Sequence, residues 1–318
     1  MGHFSSAKYI MAIAETRNIS VAAEQLKISQ PALSSQLKKV ESALGVQLFD
    51  RSTQPLEVTK AGKVYLEYAA RNEALNKEFV QHIADIDNLR RGKITVGGAA
   101  SFNLSYLPKT VAEFTEKYPG IDIEIADGSI PEISAKALAG HVDLFIAPTL
   151  NIDDRLKYEE LLQEKIFICV PPQWAINKKL AEWEVDVEEV LSGKCFERDF
   201  PEVDFKLFAD SPFILLKKDQ HIGYTMSRLF ERYGFEPKKA VMTEQTMTSY
   251  GLTLAGVGIS LMTESTIRNS NFREYPKLYL ADKYICSRRV YAVYSAQKYL
   301  PKAARKFIET LKKNLQLK

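Results

Sequence analysis

Two short apolar repeats of helical period lie on either side of a turn near the start of the chain. In the first repeat, Ala22 and Leu26 share one face of a helix, and a turn over Lys27–Ser29 follows. Ser29 is predicted to cap a second helix and Gly45 to end it, because serine favours N-caps and glycine favours the left-handed C′ position. The second helix repeats its apolar residues at Leu33, Leu37, Val40 and Leu44. The pattern predicts a helix-turn-helix.

The opposite face of that second helix is polar, and its residue types suit a DNA groove. It carries Gln30, Ser34, Ser35 and Lys38, with Pro31 in the first turn. Glutamine and serine hydrogen-bond to base edges, while lysine and the backbone amides at a helix N-terminus bind phosphate oxygens. The spacing favours a DNA-reading helix over the alternative, an ordinary amphipathic helix with a solvated polar face.

A helix before this pair and a hairpin after it complete the N-terminal segment. The apolar spacing predicts a first helix from Ser5 or Ser6 to Thr16. The stretch from Arg51 to Thr59 is typical of a β-hairpin wing. We expect the wing to lie along the DNA backbone or the adjacent minor groove, with Arg51 and Thr59 as phosphate contacts.

Residues 63–89 contain no proline or glycine and predict one long helix. Side chains that suit an interface recur in alternating steps of four and three, the 3.5-residue period of a coiled-coil seam. The predicted seam consists of Tyr68, Asn72, Leu75, Phe79, His82, Ile86 and Leu89. Two such helices are expected to pair in a dimer, and the pattern leaves their relative direction open. Arg90–Gly92 is predicted to end the helix and form a hinge.

After residue 92 short apolar strands alternate with amphipathic helices, an order that predicts a parallel α/β sheet. The predicted strands are Lys93–Gly97, Ile121–Ala126, Val142–Ala147, Lys165–Val170, Ala240–Met242, Gly258–Met262 and Val290–Tyr294. The predicted helices are Ser105–Tyr118, Ile130–Ala139, Gly223–Tyr233, Thr246–Ala255 and Lys302–Leu315. Ligands bind such sheets beyond the carboxyl ends of the strands, so the side chains there are candidate ligand contacts.

The charge balance supports a DNA-binding N-terminal segment only modestly. The chain has 318 residues, of which 46% are hydrophobic and 26% charged, as in an ordinary globular protein. Residues 1–63 hold eight lysines and arginines against five acidic residues, a net of +3 that equals the net charge of the whole chain. We therefore expect DNA affinity to come from a few placed contacts in each subunit and not from a broad basic field.

The sequence has no recognisable catalytic or metal-binding pattern. It lacks a GxSxG elbow, an HExxH motif, a Walker loop and a GxGxxG after a strand, and its four histidines have no metal spacing. We expect neither an enzyme nor a cofactor.

The three cysteines, Cys169, Cys195 and Cys286, fit no CxxC pattern and favour a reducing compartment. With no apolar leader and no apolar stretch of membrane-spanning length, the chain is expected to be cytoplasmic.

The run SVAAEQLKISQPALSSQLKKVESALGVQLFDRS, followed by LEVTKAG, resembles the winged helix-turn-helix of LysR-type transcriptional regulators. The length and the C-terminal pattern match this family too, so the resemblance covers essentially the whole chain. It implies a multidomain α+β protein in three parts: a DNA-binding domain in residues 1–62, a dimerising linker helix and hinge in 63–92, and an effector domain in 93–318. The matching positions are Ala22, Ala23, Leu26, Ser29, Gln30, Pro31, Ser34, Leu37, Glu41, Leu44, Gly45, Leu48, Phe49, Arg51, Thr59 and Gly62.

The same resemblance implies that the effector domain is a two-lobed α/β domain like that of type 2 periplasmic binding proteins. The lobes would be residues 93–161 with 267–318, and residues 162–266, and a small-molecule effector would bind between them. The family's cleft positions correspond here to Ser101, Phe102, Ser129, Pro148, Thr149, His221, Ile222, Gln245 and Thr246. Taken singly, each serine and threonine of this set is more often a helix N-cap than a ligand contact, and His221 is as readily a solvated loop residue.

Partners follow from the resemblance as further expectations. It implies an antiparallel linker-helix dimer, a homotetramer, double-stranded DNA with an interrupted inverted repeat, and contact with RNA polymerase. Backbone amides at helix N-termini favour an organic anion as effector. Alternatives remain open: a regulator that responds to no ligand, or one that senses oxidants through a thiol. Residues 188–212, aromatic and acidic, are either a lid over the cleft or surface decoration around a small satellite core.

Overall fold

The structure, a computed structural model, forms two compact units, residues 1–80 and residues 81–318. Residues 6–53, 55–86, 89, 91–148, 153–193, 199–218, 220–269 and 272–316 are described. Within these ranges, no helix combines the length and apolar character that a membrane crossing requires.

The first unit contains three short helices, a small hairpin and most of a long helix. Its elements are α1 (Ala7–Thr16), α2 (Ile19–Gln25), α3 (Gln30–Leu44), β1 (Phe49–Asp50), β2 (Glu57–Val58) and α4 (Lys60–Ile86), which continues into the second unit. The two strands pair antiparallel, with Phe49 opposite Val58. The predicted helix-turn-helix and its wing are confirmed.

Local chemistry explains where α3 begins and ends. Ser29 Oγ accepts a hydrogen bond from Ala32 N, which satisfies one of the amides that a helix start leaves unpaired. Gly45 follows the helix with a φ of 71°, the left-handed conformation that glycine adopts without a steric penalty. Leu33 and Leu37 are fully buried, so the predicted apolar face is the one that packs inward.

The long helix α4 begins earlier than predicted because Thr59 caps it. Thr59 Oγ1 accepts a hydrogen bond from Gly62 N at 3.0 Å, and the helix starts at Lys60. Gly62 allows the start of α4 to lie against the backbone of Leu48, the residue before β1. A Cβ at residue 62 would lie only 2.1 Å from Leu48 O. Any larger residue at that position would push the helix away from the wing.

The predicted seam along α4 is only partly correct. Three seam residues, Tyr68, Leu75 and Phe79, are exposed. The helix also exposes the apolar side chains of Val64, Val80 and Ile83. His82, however, stacks on Tyr299 of the same chain, with ring centroids 3.6 Å apart. Leu89 lies beyond the helix and is buried in a hydrophobic core with Ile94 and Phe114. The side chain of Ile86 lies outside the described residues. His82 and Leu89 are therefore packed within the subunit.

The second unit is a mixed α/β structure. Its strands are β3 (Gly92–Gly98), β4 (Ile121–Asp127), β5 (Leu144–Pro148), β6 (Leu156–Val170), β7 (Glu184–Val185), β8 (Pro212–Leu216), β9 (Lys238–Thr243), β10 (Ser260–Thr263), β11 (Lys277–Tyr279) and β12 (Ser287–Ser295). Its helices are α5 (Ala100–Lys117), α6 (Ile130–Ala139), α7 (Ile176–Lys179), α8 (Val187–Leu191), α9 (His221–Tyr233), α10 (Thr246–Leu254), α11 (Glu264–Asn269) and α12 (Lys302–Gln316). The predicted hinge residue Gly92 is the first residue of β3, and Arg90 lies outside the described residues.

The sheet is mixed and not purely parallel, which corrects the prediction. β3 pairs in parallel with β4 and β5, whereas β12 runs antiparallel to both β5 and β6. The long strand β6 pairs with β12 along its first part and with β10 and β11 along its last part. The strand order is β4-β3-β5-β12-β6-β11-β7, with β10 beside β6. One strand therefore runs through both lobes, and its predicted length, Lys165–Val170, was too short.

The boundary predicted at 266/267 is also corrected. The second-lobe core contains Ile166–Val170 of β6, and it also contains Ile267, Leu278 and Cys286. The first-lobe core contains Ile94, Phe102 and Phe114 and takes in the chain again from Val290 onward. The return to the first lobe thus comes at the start of β12, because β11 pairs with the second-lobe half of β6.

The described residues of the aromatic segment 188–212 contribute to the second-lobe core. Phe205 and Phe208, which form a short 3₁₀ turn, are fully buried. The Phe205 ring contacts the rings of Phe213 and Phe230, with centroids 5.8 and 5.6 Å away. Offset and tilted aromatic pairs of this kind stabilise a core beyond simple area burial. The described part of the segment is therefore neither a lid nor a satellite core. Residues 194–198, including Cys195, lie outside the described residues.

Candidate functional sites

The polar face of α3 is solvent-exposed, as a DNA-reading surface requires. Gln30, Pro31, Ser35 and Lys38 are exposed, and Ser34 is half-buried among them. Gln30 Nε2 donates a hydrogen bond to Ser34 Oγ at 3.2 Å, so one helical turn of polar groups is held together at the start of the helix. The side-chain oxygen of Gln30 and the hydroxyl hydrogen of Ser34 stay available to a base edge.

The two predicted phosphate contacts on the wing also have structural partners. Arg51 Nη2 lies 2.7 Å from Glu41 Oε2, and Leu48 N donates to Glu41 Oε1 at 2.8 Å. Glu41 is buried, whereas the Arg51 side chain keeps 41% of its surface exposed. Thr59 Oγ1 donates to Gln47 O at 2.8 Å in addition to capping α4. Both residues thus fix the wing relative to α3 and α4, and Arg51 still presents donors to solvent.

In the second unit, Arg288 brings together two of the predicted cleft residues. Its guanidinium lies over the ring of Phe102, 4.7 Å from the ring centroid, which is the range of a cation–π contact. The charge of Arg288 also acts on His221, whose pKa it helps to lower. Phe102 belongs to the first-lobe core and the neighbouring Ile222 to the second-lobe core. Arg288 therefore lies where the two lobes face each other.

His221 is held as a neutral ring. Burial and the nearby Arg288 guanidinium lower the pKa of His221 from 6.5 to about 3. The start of α9 lies very close to Lys217, the residue that follows β8. A Cβ at Gly223 would be only 2.1 Å from Lys217 O. Thr225 Oγ1 donates to the backbone oxygen of His221 at 2.9 Å. A neutral imidazole in this position offers one donor and one acceptor, and no charge.

A buried polar cluster beside Arg288 links elements of both lobes, and the sequence analysis missed it. Arg288 Nη2 and Nε lie 2.6 and 2.7 Å from Glu164 Oε1. The backbone amide and the hydroxyl of Ser265 donate to the other oxygen of Glu164. Tyr106 Oη donates to Ser265 Oγ at 2.8 Å. A signal was present in the sequence: Glu164 lies shortly before the apolar run Ile166–Val170 of β6, and Arg288 shortly before the run Val290–Val293 of β12.

The other predicted effector residues have less defined surroundings. Ser101 is in the first turn of α5, whose N-cap is Ala99, and is not itself a cap. Ser129 does cap α6, in a capping box with Glu132. Pro148, at the end of β5, is paired with Val290. Gln245 and Thr246 begin α10, and no hydrogen bond or ion pair in the described ranges joins them to Arg288. Thr149 lies outside the described residues.

A cavity of about 780 Å³ lies elsewhere on the second lobe. Leu215, Met226, Phe230 and Met242 line it, and none of the predicted effector residues does.

As for metals, the described part of the chain contains no group of three or more histidine, cysteine, aspartate or glutamate side chains that would suit an ion.

The two described cysteines are poorly suited to react with oxidants. Cys169 and Cys286 are fully buried. Burial raises the pKa of the Cys169 thiol well above its usual range and that of Cys286 to about 12. A thiolate, the reactive form, is therefore scarce at both positions.

Two family profiles match the chain. The profile "Bacterial regulatory helix-turn-helix protein, lysR family" matches residues 4–63, and "LysR substrate binding domain" matches residues 87–316. The chain belongs to the LysR family of transcriptional regulators. It is therefore a DNA-binding regulator that carries the family's substrate-binding domain, the domain type through which an effector modulates transcription.

Similar individual proteins agree with this assignment. The chain is 26% identical over 312 residues to "Uncharacterized HTH-type transcriptional regulator YcgK" of Bacillus subtilis (strain 168), covering 97% of this chain and 94% of that protein. Its fold is similar to that of CbnR, a LysR family transcriptional regulator, with a TM-score of 0.65, 20% identity and coverage of 99% and 100%. Full-length CbnR complexed with its target DNA gives a TM-score of 0.64 at 19% identity, with coverage of 98% and 99%.

Proposed function

We propose that this LysR-family regulator binds an interrupted inverted repeat in double-stranded DNA and changes its contact with DNA and RNA polymerase when an organic anion binds between the lobes. Two α3 helices of a dimer would read the half-sites, and paired dimers would form a homotetramer that works in the cytoplasm without a cofactor or catalysis. The observation that carries the DNA-binding part of the proposal is that α3 exposes a polar face to solvent while its apolar face is buried.

The DNA contacts divide into reading and positioning residues. Gln30, Ser34 and Ser35 would contact base edges, since their hydroxyl and amide groups face outward in the first turns of α3. Pro31 and Lys38 would set the helix against the backbone. Arg51 would bind phosphate with the N–H donors that it does not use on Glu41. Thr59 would hold the wing in place through its hydrogen bond to Gln47 O.

The effector part rests on how two helices begin beside Arg288. Phe102 lies in the first turn of α5 and His221 is the first residue of α9, and Arg288 acts on both. Neither helix has a side-chain cap. The first amides of both helices are therefore left for a ligand or water, and the helix dipoles favour a negative charge there. A carboxylate would bind these amides, and the Phe102 ring would pack against the apolar part of the ligand.

The thiol-sensing alternative receives no support from Cys169 or Cys286, both buried with raised pKa values. The ligand-independent alternative differs from the proposal in one measurable respect, because a chain without an effector gains no stability from small molecules.

A thermal-shift screen of the full-length protein against metabolites, weighted toward carboxylates, tests the effector proposal. A ligand at a hundred times its dissociation constant adds about 2.7 kcal/mol, or about 5–10 °C for a domain of this size. The matched control is Ser101→Phe, which places a ring in the first turn of α5. We expect any stabilising compound to lose its effect on this variant. Stabilisation that survives in Ser101→Phe would place the ligand elsewhere, and a flat screen would favour the ligand-independent alternative.

A further inference from the structure

Two buried carboxyl groups lie near each other at the contact between the lobes, and only one of them is well paired. Glu164 and Glu264 are each 1% exposed. Glu164 receives hydrogen bonds from Arg288 and Ser265, as described above. Glu264, the first residue of α11, has an oxygen, Oε1, with no hydrogen-bond partner in the described part of the chain.

The groups around Glu264 do not provide full compensation for a negative charge. On its own helix, Arg268 Nη1 lies 3.8 Å from Glu264 Oε1, beyond hydrogen-bond distance. From β6, Lys165 N is 3.5 Å from Glu264 Oε2, and the Lys165 ammonium also lowers the pKa of Glu264, whereas the Glu164 charge raises it. An ionised carboxylate without full pairing is unfavourable at this depth.

The remaining elements that pack on α11 bring no closer cation. From α5 comes Tyr106, whose hydroxyl contacts Ser265. From α8 come Glu188 and Glu189, whose side chains both reach solvent. β10 has no titratable residue, and on β12 the Arg288 side chain is engaged with Glu164.

The position of Glu264 makes its charge relevant to the lobes. α11 packs on α5, which belongs to the first lobe, while Ile267 of α11 belongs to the second-lobe core. A change of charge at residue 264 therefore acts directly on a contact between the lobes. Burial, followed by the repulsion of Glu164, raises the pKa of Glu264 to about 7, against an ordinary value of 4.5.

We propose that Glu264 is a proton-operated switch: it is protonated in the lobe arrangement seen here, and loss of that proton favours an arrangement in which the carboxylate reaches water. This lobe arrangement is then most stable at acidic pH and weakens as the pH rises through neutrality. The regulatory consequence, a pH-dependent response of the regulator, rests on the proposed function, whereas the titration itself does not.

Thermal unfolding of the full-length protein between pH 5 and 8.5 tests the proposal. Glu264→Gln carries a neutral side chain of the same shape, so its melting temperature is expected to match wild type at pH 5 and to exceed it by about 5 °C at pH 8. The matched control is Glu160→Gln on the same strand as Glu164, at an exposed site. It is expected to follow wild type throughout. A Glu264→Gln curve parallel to wild type, or below it at pH 8, would overturn the proposal.

A second variant keeps the test decisive if Glu264→Gln does not fold. Arg268→Gln removes the nearest cation, so the pKa of Glu264 should rise further. The variant should therefore lose stability at a higher pH than wild type. Amide hydrogen exchange in α5 and α11, corrected for intrinsic rates, should rise above that same pH. An unmoved transition, or exchange that changes equally throughout the second unit, would show that Glu264 does not control the lobe contact. Neither result would bear on DNA or effector binding, which the Ser101→Phe screen tests separately.

Discussion

Arg51 Nη2 lies 2.7 Å from Glu41 Oε2, so a side chain predicted to bind DNA phosphate also fastens the recognition helix to the wing. Glu41 is buried and accepts a second hydrogen bond from Leu48 N. This ion pair places the outward donors of Arg51 at a fixed position relative to α3. The structural role of Arg51 and its proposed role in DNA binding are thereby coupled.

Arg51→Ala should lower both stability and DNA affinity. The substitution leaves the buried Glu41 carboxylate without its cation, and we expect the free energy of unfolding to fall by about 1–3 kcal/mol. Chemical denaturation and DNA-binding titrations measure the two effects. The control is Lys38→Ala, an exposed position, where affinity and its salt dependence should fall at unchanged stability. Unchanged stability in Arg51→Ala would contradict a structural role for the ion pair.

The exposed apolar residues of α4 predict that this helix dimerises. Leu75 and Phe79 keep 64% and 63% of their surface exposed, and one turn separates them. Phe79→Asp should dissociate the dimer into monomers, as measured by analytical ultracentrifugation. Lys77→Asp changes the charge on the same helix, two residues from both Leu75 and Phe79 and therefore on another side, and should leave the dimer intact. A dimer that persists in Phe79→Asp would show that subunits associate through another surface.

The pair of Glu164 and Arg288 should behave as a coupled unit. Arg288→Leu leaves a buried charge unpaired, and we expect it to lower the free energy of unfolding by about 3–5 kcal/mol. Combining it with Glu164→Leu should cost less than the sum of the two single changes, because the double variant has no unpaired charge. A double-mutant cycle by chemical denaturation gives the coupling directly. Additive effects would mean that the two side chains do not depend on each other.

The neutral ring of His221 predicts a specific loss of stability in acid. Its pKa is about 3 in the folded protein, below the ordinary 6.5, so the unfolded chain binds a proton more strongly. The stability tied to the neutral ring is present above pH 6.5 and lost as the pH falls toward 3. His221→Gln cannot titrate, and its melting temperature should fall less than that of wild type between pH 6.5 and 4. Parallel curves would contradict the burial of a neutral ring.

The sequence predicted the first unit better than the second for a physical reason. Its caps and apolar repeats are local, so Ser29, Gly45 and the buried face of α3 could be assigned from neighbouring residues alone. The correct end of the second lobe depended on the pairing of β11 with β6, a contact between distant segments. No local pattern distinguishes a strand that returns to one lobe from a strand that returns to the other.

The candidate cleft shows the same limit. The resemblance named Phe102 and His221 as cleft positions, and the structure has them in the first turns of two helices, both beside Arg288. It did not indicate Arg288, Glu164 or Glu264, because the burial of a charged residue depends on partners far along the chain. Polar residues next to apolar strands were visible in the sequence, but their pairing was not. Contacts between lobes therefore had to come from the structure.

Selection of genomic DNA fragments by the full-length protein, followed by sequencing of the bound fraction, tests the central claim most directly. Wild-type protein is expected to enrich an interrupted inverted repeat. Ser34→Arg, which places a long cation on the reading face of α3, should lose that enrichment while keeping its melting temperature and oligomeric state. The same repeat enriched equally by Ser34→Arg would contradict the assignment of α3 as the DNA-reading helix.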